Sequence, residues 1–171
     1  AAICQQAARG CIVFGICGGY QMLGASVRDP LGVEAAGVKE IKGMGLLPMD
    51  TVFQGEKVQQ QTSGVFGEIP GALHSLSGMK YTGYEIHMGR SRQQLAPLGN
   101  VYGSYIHGIF DGAGIAQAVI GDLAARKGID PGTLTVFDPE RYKQEQYDKL
   151  ADAVRGGLDM DFVYKVLNRE V

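Results

Sequence analysis

A cysteine set between glycines, in Gly15-Ile16-Cys17-Gly18-Gly19-Tyr20-Gln21, constrains this chain more than any other feature. The residues just before it, 11–16, read as a short buried strand, and those after it read as the first turns of a helix. Glycine two positions to either side of a nucleophile is the thiol form of the elbow G-x-S-x-G. Such a turn holds its central residue under strain, and β-carbons at Gly15 and Gly19 are expected to collide where strand and helix pack closely. The sulfur of Cys17 would then stand at the mouth of a sheet and at a helix N-terminus. Backbone N–H groups and the helix dipole there favour thiolate over thiol. Two plainer readings compete: a small buried hydrophobe, and a glycine-rich turn that binds phosphate. The glycine spacing favours the nucleophile.

Cys4 and Cys11 lack that context, and core packing is expected for both. Three cysteines without a secretory signal give no disulfide framework, so the reducing cytoplasm is the expected compartment. At 171 residues and 45% hydrophobic content, the chain has material for one globular domain, residues 1–171. A net charge of -2 supplies no basic field for nucleic acid, and no apolar run is long enough for a membrane span. The 26 glycines fall at turns and beside strands rather than in a low-complexity tract. Residues 1–9 read as the back half of a helix ending at Gly10, so the nucleophile strand comes first, without upstream neighbours. The chain is therefore expected to be a piece of a longer protein.

The pattern predicts a helix over 18–27, a loop over 29–37, and short strands at 45–52, 57–61 and 64–69. Further strands are expected at 79–88 and 101–106. Helical spacing follows at Ile115, Ala118, Val119 and Leu123, and again at Tyr147, Leu150, Ala151 and Val154. A last helix, 160–169, has Asp159 or Asp161 as its N-cap.

A thiol attacking a carbonyl needs a base, normally histidine, and donors for the oxyanion, each worth about 3–4 kcal/mol. Three histidines are available. His74 lies in a Gly/Pro/Ser-rich stretch and reads as a surface loop residue. His107 ends a strand and is followed by glycine, as Cys17 is, and ligands bind beyond such strand ends in open parallel sheets. It is the expected base. His87 either lines the pocket or faces the loop that covers it. No C-x-x-C or H-x-x-x-H spacing occurs, so no metal is expected.

Three ordered motifs carry a family resemblance: Gly-Ile-Cys-Gly-Gly-Tyr-Gln-Met-Leu-Gly at 15–24, Gly-Tyr-Glu-Ile-His-Met-Gly-Arg at 83–90, and Ser-Tyr-Ile-His-Gly-Ile-Phe-Asp at 104–111. Together with 147–152 and 158–161 they resemble the C-terminal glutamine amidotransferase domain of cobyric acid synthases, in the triad-type group that also holds cobyrinic acid diamide synthase. The resemblance covers essentially the whole chain. It implies a flavodoxin-like α/β fold, a sheet with helices on both faces, here lacking upstream strands. It implies glutamine hydrolysis through a γ-glutamyl thioester on Cys17, with His107 as base. Gly18 N–H would serve the oxyanion, and Gln21, Glu85 and His87 would lie about the substrate.

The resemblance further implies ammonia delivery to an N-terminal synthetase domain of the same polypeptide. There, with ATP and Mg, adenosylcobyrinic acid a,c-diamide becomes adenosylcobyric acid in cobalamin biosynthesis. No cofactor is expected in the present domain. Without the upstream strands and loop, the fragment is expected to be weak or inactive alone. Many triad amidotransferases carry His-x-Glu, whereas Gly108 and Ile109 follow His107 here, leaving Glu85 and Asp111 to orient it. The competing functions are an amidotransferase for another acceptor, a cysteine hydrolase or peptidase of similar fold, and a docking domain with an idle thiol.

Overall fold

The computed structural model describes residues 2–35, 37–91, 98–112, 114–133 and 139–170, with the side chains of 139 and 140 not described. Ala1, where the first expected helix begins, lies outside them. The chain divides into two compact units, Ala1–Thr135 and Val136–Val171.

The first unit opens with α1 (Ala2–Ala8), which Gly10 ends at φ 84°. Next come β1 (Val13–Ile16), α2 (Gly18–Leu23), β2 (Ser26–Arg28), β3 (Glu40–Lys42), β4 (Asp50–Val65), β5 (Lys80–Arg90), β6 (Val101–Ser104) and α3 (Ile115–Arg126). A 3₁₀ segment, Gly71–Leu76, joins β4 to β5. The strands form two sheets. β1 pairs parallel with β6, and the order β3-β2-β4-β5 makes a second sheet. The class is α/β, as expected, and consistent with a flavodoxin-like domain.

Side-chain alternation along β1 and β6 sends neighbours to opposite faces. Phe14 and Tyr102 are register partners and stack, joining a core of Phe66, Leu73, Leu76 and Ile109 to which α3 adds Ile115. Val101 faces the other way, into a core of Ala7 from α1, Tyr20 and Leu23 from α2, Leu47 and Tyr105. Helices thus cover both faces of this sheet.

On the α2 face, Gly15 and Gly103 lie side by side in register. A β-carbon at Gly103 would collide with the Tyr20 ring, and one at Gly15 would come within 2.7 Å of Leu23 Cδ1 and 2.8 Å of the Gly19 backbone. Two bare strand positions therefore let α2 cross close. The expectation for Gly15 holds and that for Gly19 does not: a β-carbon at Gly19 meets nothing within 4 Å. Gly19 is instead the backbone that Gly15 must clear.

Several expected elements differ. The helix expected over 18–27 ends at Leu23, because Gly24 turns and Ser26–Arg28 pairs with both β3 and β4. A β-carbon at Gly24 would lie 2.6 Å from Met49 O, so the chain passes β4's approach too closely for any helix to continue. The three strands expected between 45 and 69 are one, Asp50–Val65, whose ladder with β5 breaks only between Phe53 and Val58. Cys11 is exposed rather than in the core, because β1 begins two residues later and the thiol turns back to Gln6 Oε1 at 3.4 Å. Cys4 is half-buried.

Asp29 organises the loop after β2, accepting from the N–H groups of Val33, Glu34 and Ala35 at 2.9–3.0 Å. Burial alone would raise its carboxyl. The N–H donors of Glu34, Ala35, Val33 and Gly32 outweigh that and hold it below its ordinary value.

The second unit contains α4 (Pro139–Gly157) and α5 (Met160–Leu167). Of the two acids expected to cap α5, Asp159 does so, accepting from Phe162 N at 3.0 Å. Among the described residues no helix is long and apolar enough to cross a membrane.

Gly103→Ala and Gly15→Ala should each lower unfolding stability by about 1–3 kcal/mol through overpacking. Gly19→Ala should leave it unchanged or raise it by up to about 1 kcal/mol. Denaturant unfolding of the three variants checks the order.

Candidate active site

β1 runs into α2 through a single residue, Cys17, which takes φ 52° and ψ -112°. For a non-glycine residue such a conformation costs about 1–3 kcal/mol and persists only where its surroundings over-determine it. Both of its backbone groups are tied. Its N–H donates to Ser104 O at the end of β6 at 2.8 Å, and its C=O accepts from Gln21 N at 3.0 Å. The thiol, partly exposed, donates to Ile86 O of β5 at 3.6 Å.

Burial pushes the Cys17 thiol above its ordinary value, and the Gly18 N–H against the sulfur only partly offsets it. This reverses the expectation of a thiolate favoured by the helix start. The helix has only six residues, and desolvation of the sulfur outweighs what its terminus supplies.

His107 follows β6 and pairs with the middle of β5. Its N–H donates to Tyr84 O at 2.8 Å, and its C=O accepts from Tyr84 N at 3.1 Å. The approach is close: a β-carbon at Gly83 would collide with His107 O. The imidazole lies flat on the Tyr84 ring, with centroids 5.0 Å apart and planes 6° apart. Cys17 and His107 are thus both fastened to β5, at Ile86 and Tyr84. Those positions are about 7 Å apart along a strand.

Glu85 and His87 occupy the opposite, buried side of β5. His87 Nε2 bonds Glu85 Oε2 at 3.0 Å, and His87 Nδ1 bonds Gly89 O at 2.8 Å. The His87 ring stacks on Tyr105 at 3.8 Å. Tyr105 OH shares a 2.8 Å hydrogen bond with Ser91 Oγ, which reaches Thr51 Oγ1 at 2.7 Å. Glu85 is therefore committed to His87, with Gln60 Nε2 at 3.5 Å, and not to His107. Asp111 makes no side-chain bond to His107 either; its backbone N–H closes a turn on Gly108 O at 2.9 Å. Neither acid expected to orient the base does so among the described residues.

Gln21 is buried, and a β-carbon at Gly89 would lie 2.5 Å from its Nε2, so its side chain rests against β5. Gly18 heads α2 with its N–H toward the sulfur. His74 is exposed on the 3₁₀ segment, as expected, 3.8 Å from Asp122. Sequence reasoning missed Tyr84 and Tyr105. The only signal was strand parity, which puts Tyr84 with Ile86 on one side of β5 and Glu85 with His87 on the other. Among the described residues no group of three or more His, Cys, Asp or Glu is placed to hold a metal.

Residues 1–115 match the family model for the CobB/CobQ-like glutamine amidotransferase domain. Over the whole chain the sequence is 45% identical to the cobyric acid synthase of Lachnoclostridium phytofermentans, covering 38% of that protein. It is 41% identical to the cobyric acid synthase of Ruminiclostridium cellulolyticum over 98% of the chain and 36% of that protein. With the cobyric acid synthase of Caldanaerobacter subterraneus it shares 35% identity over 94% of the chain and 36% of the relative. The chain thus spans little more than a third of the length of these curated relatives. The cysteine hydrolase alternative is not favoured by them.

With the thiol protonated near neutrality, alkylation of Cys17 by iodoacetamide should climb about tenfold per pH unit from about pH 7 to about pH 9. A rate already flat over that range would mean a thiolate stabilised by contacts this geometry lacks. Peptide mass spectrometry separates Cys17 from Cys4 and Cys11.

Proposed function

The chain belongs to the CobB/CobQ-like glutamine amidotransferase family, and we propose on that footing that it hydrolyses glutamine, with Cys17 as nucleophile and His107 as base. The observation that carries this reading is the strained backbone of Cys17 at the head of α2, with its thiol and His107 fastened to one strand.

In the proposed reaction, His107 takes the Cys17 Sγ proton as the sulfur attacks the side-chain carboxamide carbon of glutamine. The Gly18 N–H, which lies against the sulfur in the free thiol, would turn to the oxygen that gains charge. The tetrahedral species collapses as the C–N bond breaks, and His107 returns the proton to the leaving nitrogen, releasing ammonia. A water molecule, deprotonated by the same ring, then attacks the γ-glutamyl thioester. The C–S bond breaks, the sulfur takes the proton back from His107, and glutamate is released. Gln21, Glu85 and His87 would lie about the substrate, with Glu85 and His87 held to one another by their hydrogen bond.

We assign residues 1–171 to one amidotransferase part of a longer polypeptide, whose N-terminal synthetase would consume the ammonia. The supporting fact is that the relatives named cobyric acid synthase are far longer than this chain. Their name points to a corrinoid acceptor and to cobalamin biosynthesis. ATP and Mg would belong to the synthetase, and this part would need no cofactor of its own. Free cysteines at 4, 11 and 17 suit a cytoplasmic setting.

Cys17→Ser in the full-length polypeptide should abolish glutamine-dependent amidation and leave amidation from free ammonia intact. Loss of both activities would make Cys17 structural. A diazo-ketone analogue of glutamine should label Cys17 selectively, with glutamine protecting; equal labelling of Cys4 and Cys11 would count against the assignment.

A further inference from the structure

Among the described residues no acid holds His107 by its ring edge, the usual partner of a catalytic histidine. No acid two positions on holds its ring, since Gly108 and Ile109 stand there. Glu85 bonds His87 on the far side of β5, and Asp111 engages Gly108 through its backbone. Among the described residues the aromatic ring stacked on His107 is that of Tyr84, with centroids 5.0 Å apart and planes parallel within 6°.

That contact rests on an unusually well-determined backbone. Residues 84 and 107 exchange both of their main-chain hydrogen bonds, at 2.8 and 3.1 Å. The strand can come so close because Gly83 has no side chain where His107 O and Ile106 Cγ2 sit. Two parallel, offset-stacked rings carried by paired residues restrict how the imidazole can tilt. The thiol is fastened two residues further along the same strand, at Ile86 O.

We propose that Tyr84 is the positioning residue for His107: its ring face fixes the plane of the base, the task an acid performs elsewhere by bonding the ring edge. The proposal rests on the reading of His107 as the base. It assigns the work to the aromatic face and none to the phenol hydroxyl, and it places Tyr84 out of contact with the reacting atoms. Tyr84 is 41% exposed on the outer side of β5, so replacing it leaves the buried side of the strand intact.

The test uses the full-length polypeptide with Tyr84→Phe, Tyr84→Leu, His107→Asn and Cys17→Ser, measuring glutaminase kcat and KM, with ammonia-dependent amidation as the check of folding. Tyr84→Phe should keep kcat within about threefold. Tyr84→Leu, which fills the position without a ring face, should lose about 10- to 100-fold in kcat with KM within about threefold, part of what a well-placed base contributes. The proposal is overturned if Leu and Phe behave alike, or if the loss falls on KM alone, with His107→Asn inactive. If His107→Asn keeps glutaminase activity, the reading beneath it fails, and that arm alone identifies the failure. A loss in Tyr84→Phe as large as that in Tyr84→Leu would move the role to the hydroxyl and equally overturn the proposal.

Discussion

The crossing of α2 over Gly15 and Gly103 governs the geometry of everything near the thiol. Parallel strands carry side chains on both faces, and those side chains normally hold a covering helix off the strand backbone. Here two adjacent register positions on one face are bare, and Tyr20 and Leu23 settle onto them. The helix then starts too near the strand end for a relaxed connection. One residue must turn the chain, and Cys17 does so at φ 52°. The strain is held by hydrogen bonds from both of its backbone groups and by the fully buried Tyr20 ring beneath. A local conformation unfavourable by itself is thus enforced by core packing two to six residues away.

β5 then decides what the turned residue faces. Its backbone offers the Ile86 carbonyl to the sulfur and the Tyr84 N–H and C=O to His107. Its inner side locks the same stretch from behind through Glu85, His87 and Gly89, with Tyr105, Ser91 and Thr51 extending the lock toward β4. Among the described residues no buried side-chain nitrogen or oxygen lacks a partner. A satisfied polar network of this kind rigidifies a strand more than apolar packing alone, because any shift breaks several bonds together. The strand to which Cys17 and His107 are both fastened is thus itself held by a satisfied polar network.

Much of this was legible in the sequence, and the limits have physical causes. The elbow at 15–19 could be read because its glycine spacing has one steric meaning, although the sequence could not say which glycine meets a side chain. β4 was read as three pieces because Gly55 and Gly64 look like breaks. The long ladder with β5 overrides such local preferences. β2 was hidden because Val27 continues the helical spacing of Leu23, and only the approach of Met49 to Gly24 ends the helix. At the site, the sequence offers Glu85 and Asp111 equally as acids to orient His107 and does not choose between them. Residue parity sends Glu85 to the wrong side of the strand, and parity matters only once the register with His107 is known. A ring stacked on a ring leaves no mark in sequence beyond two aromatic letters.

The clamp behind β5 has one more implication, in proton count. The Gly89 carbonyl can only accept, so His87 Nδ1 carries a hydrogen. The contact between Nε2 and Glu85 must then hold one further proton, on whichever atom it resides. The pair is therefore neutral as a unit, whether written as two ions or as two uncharged groups. Reversing its polarity internally changes neither its net charge nor the number of hydrogens buried in this part of the core. To its surroundings such a unit presents a dipole rather than a net charge. The chain can thus bury an acid and a base in the strand that carries its site without adding a net charge there.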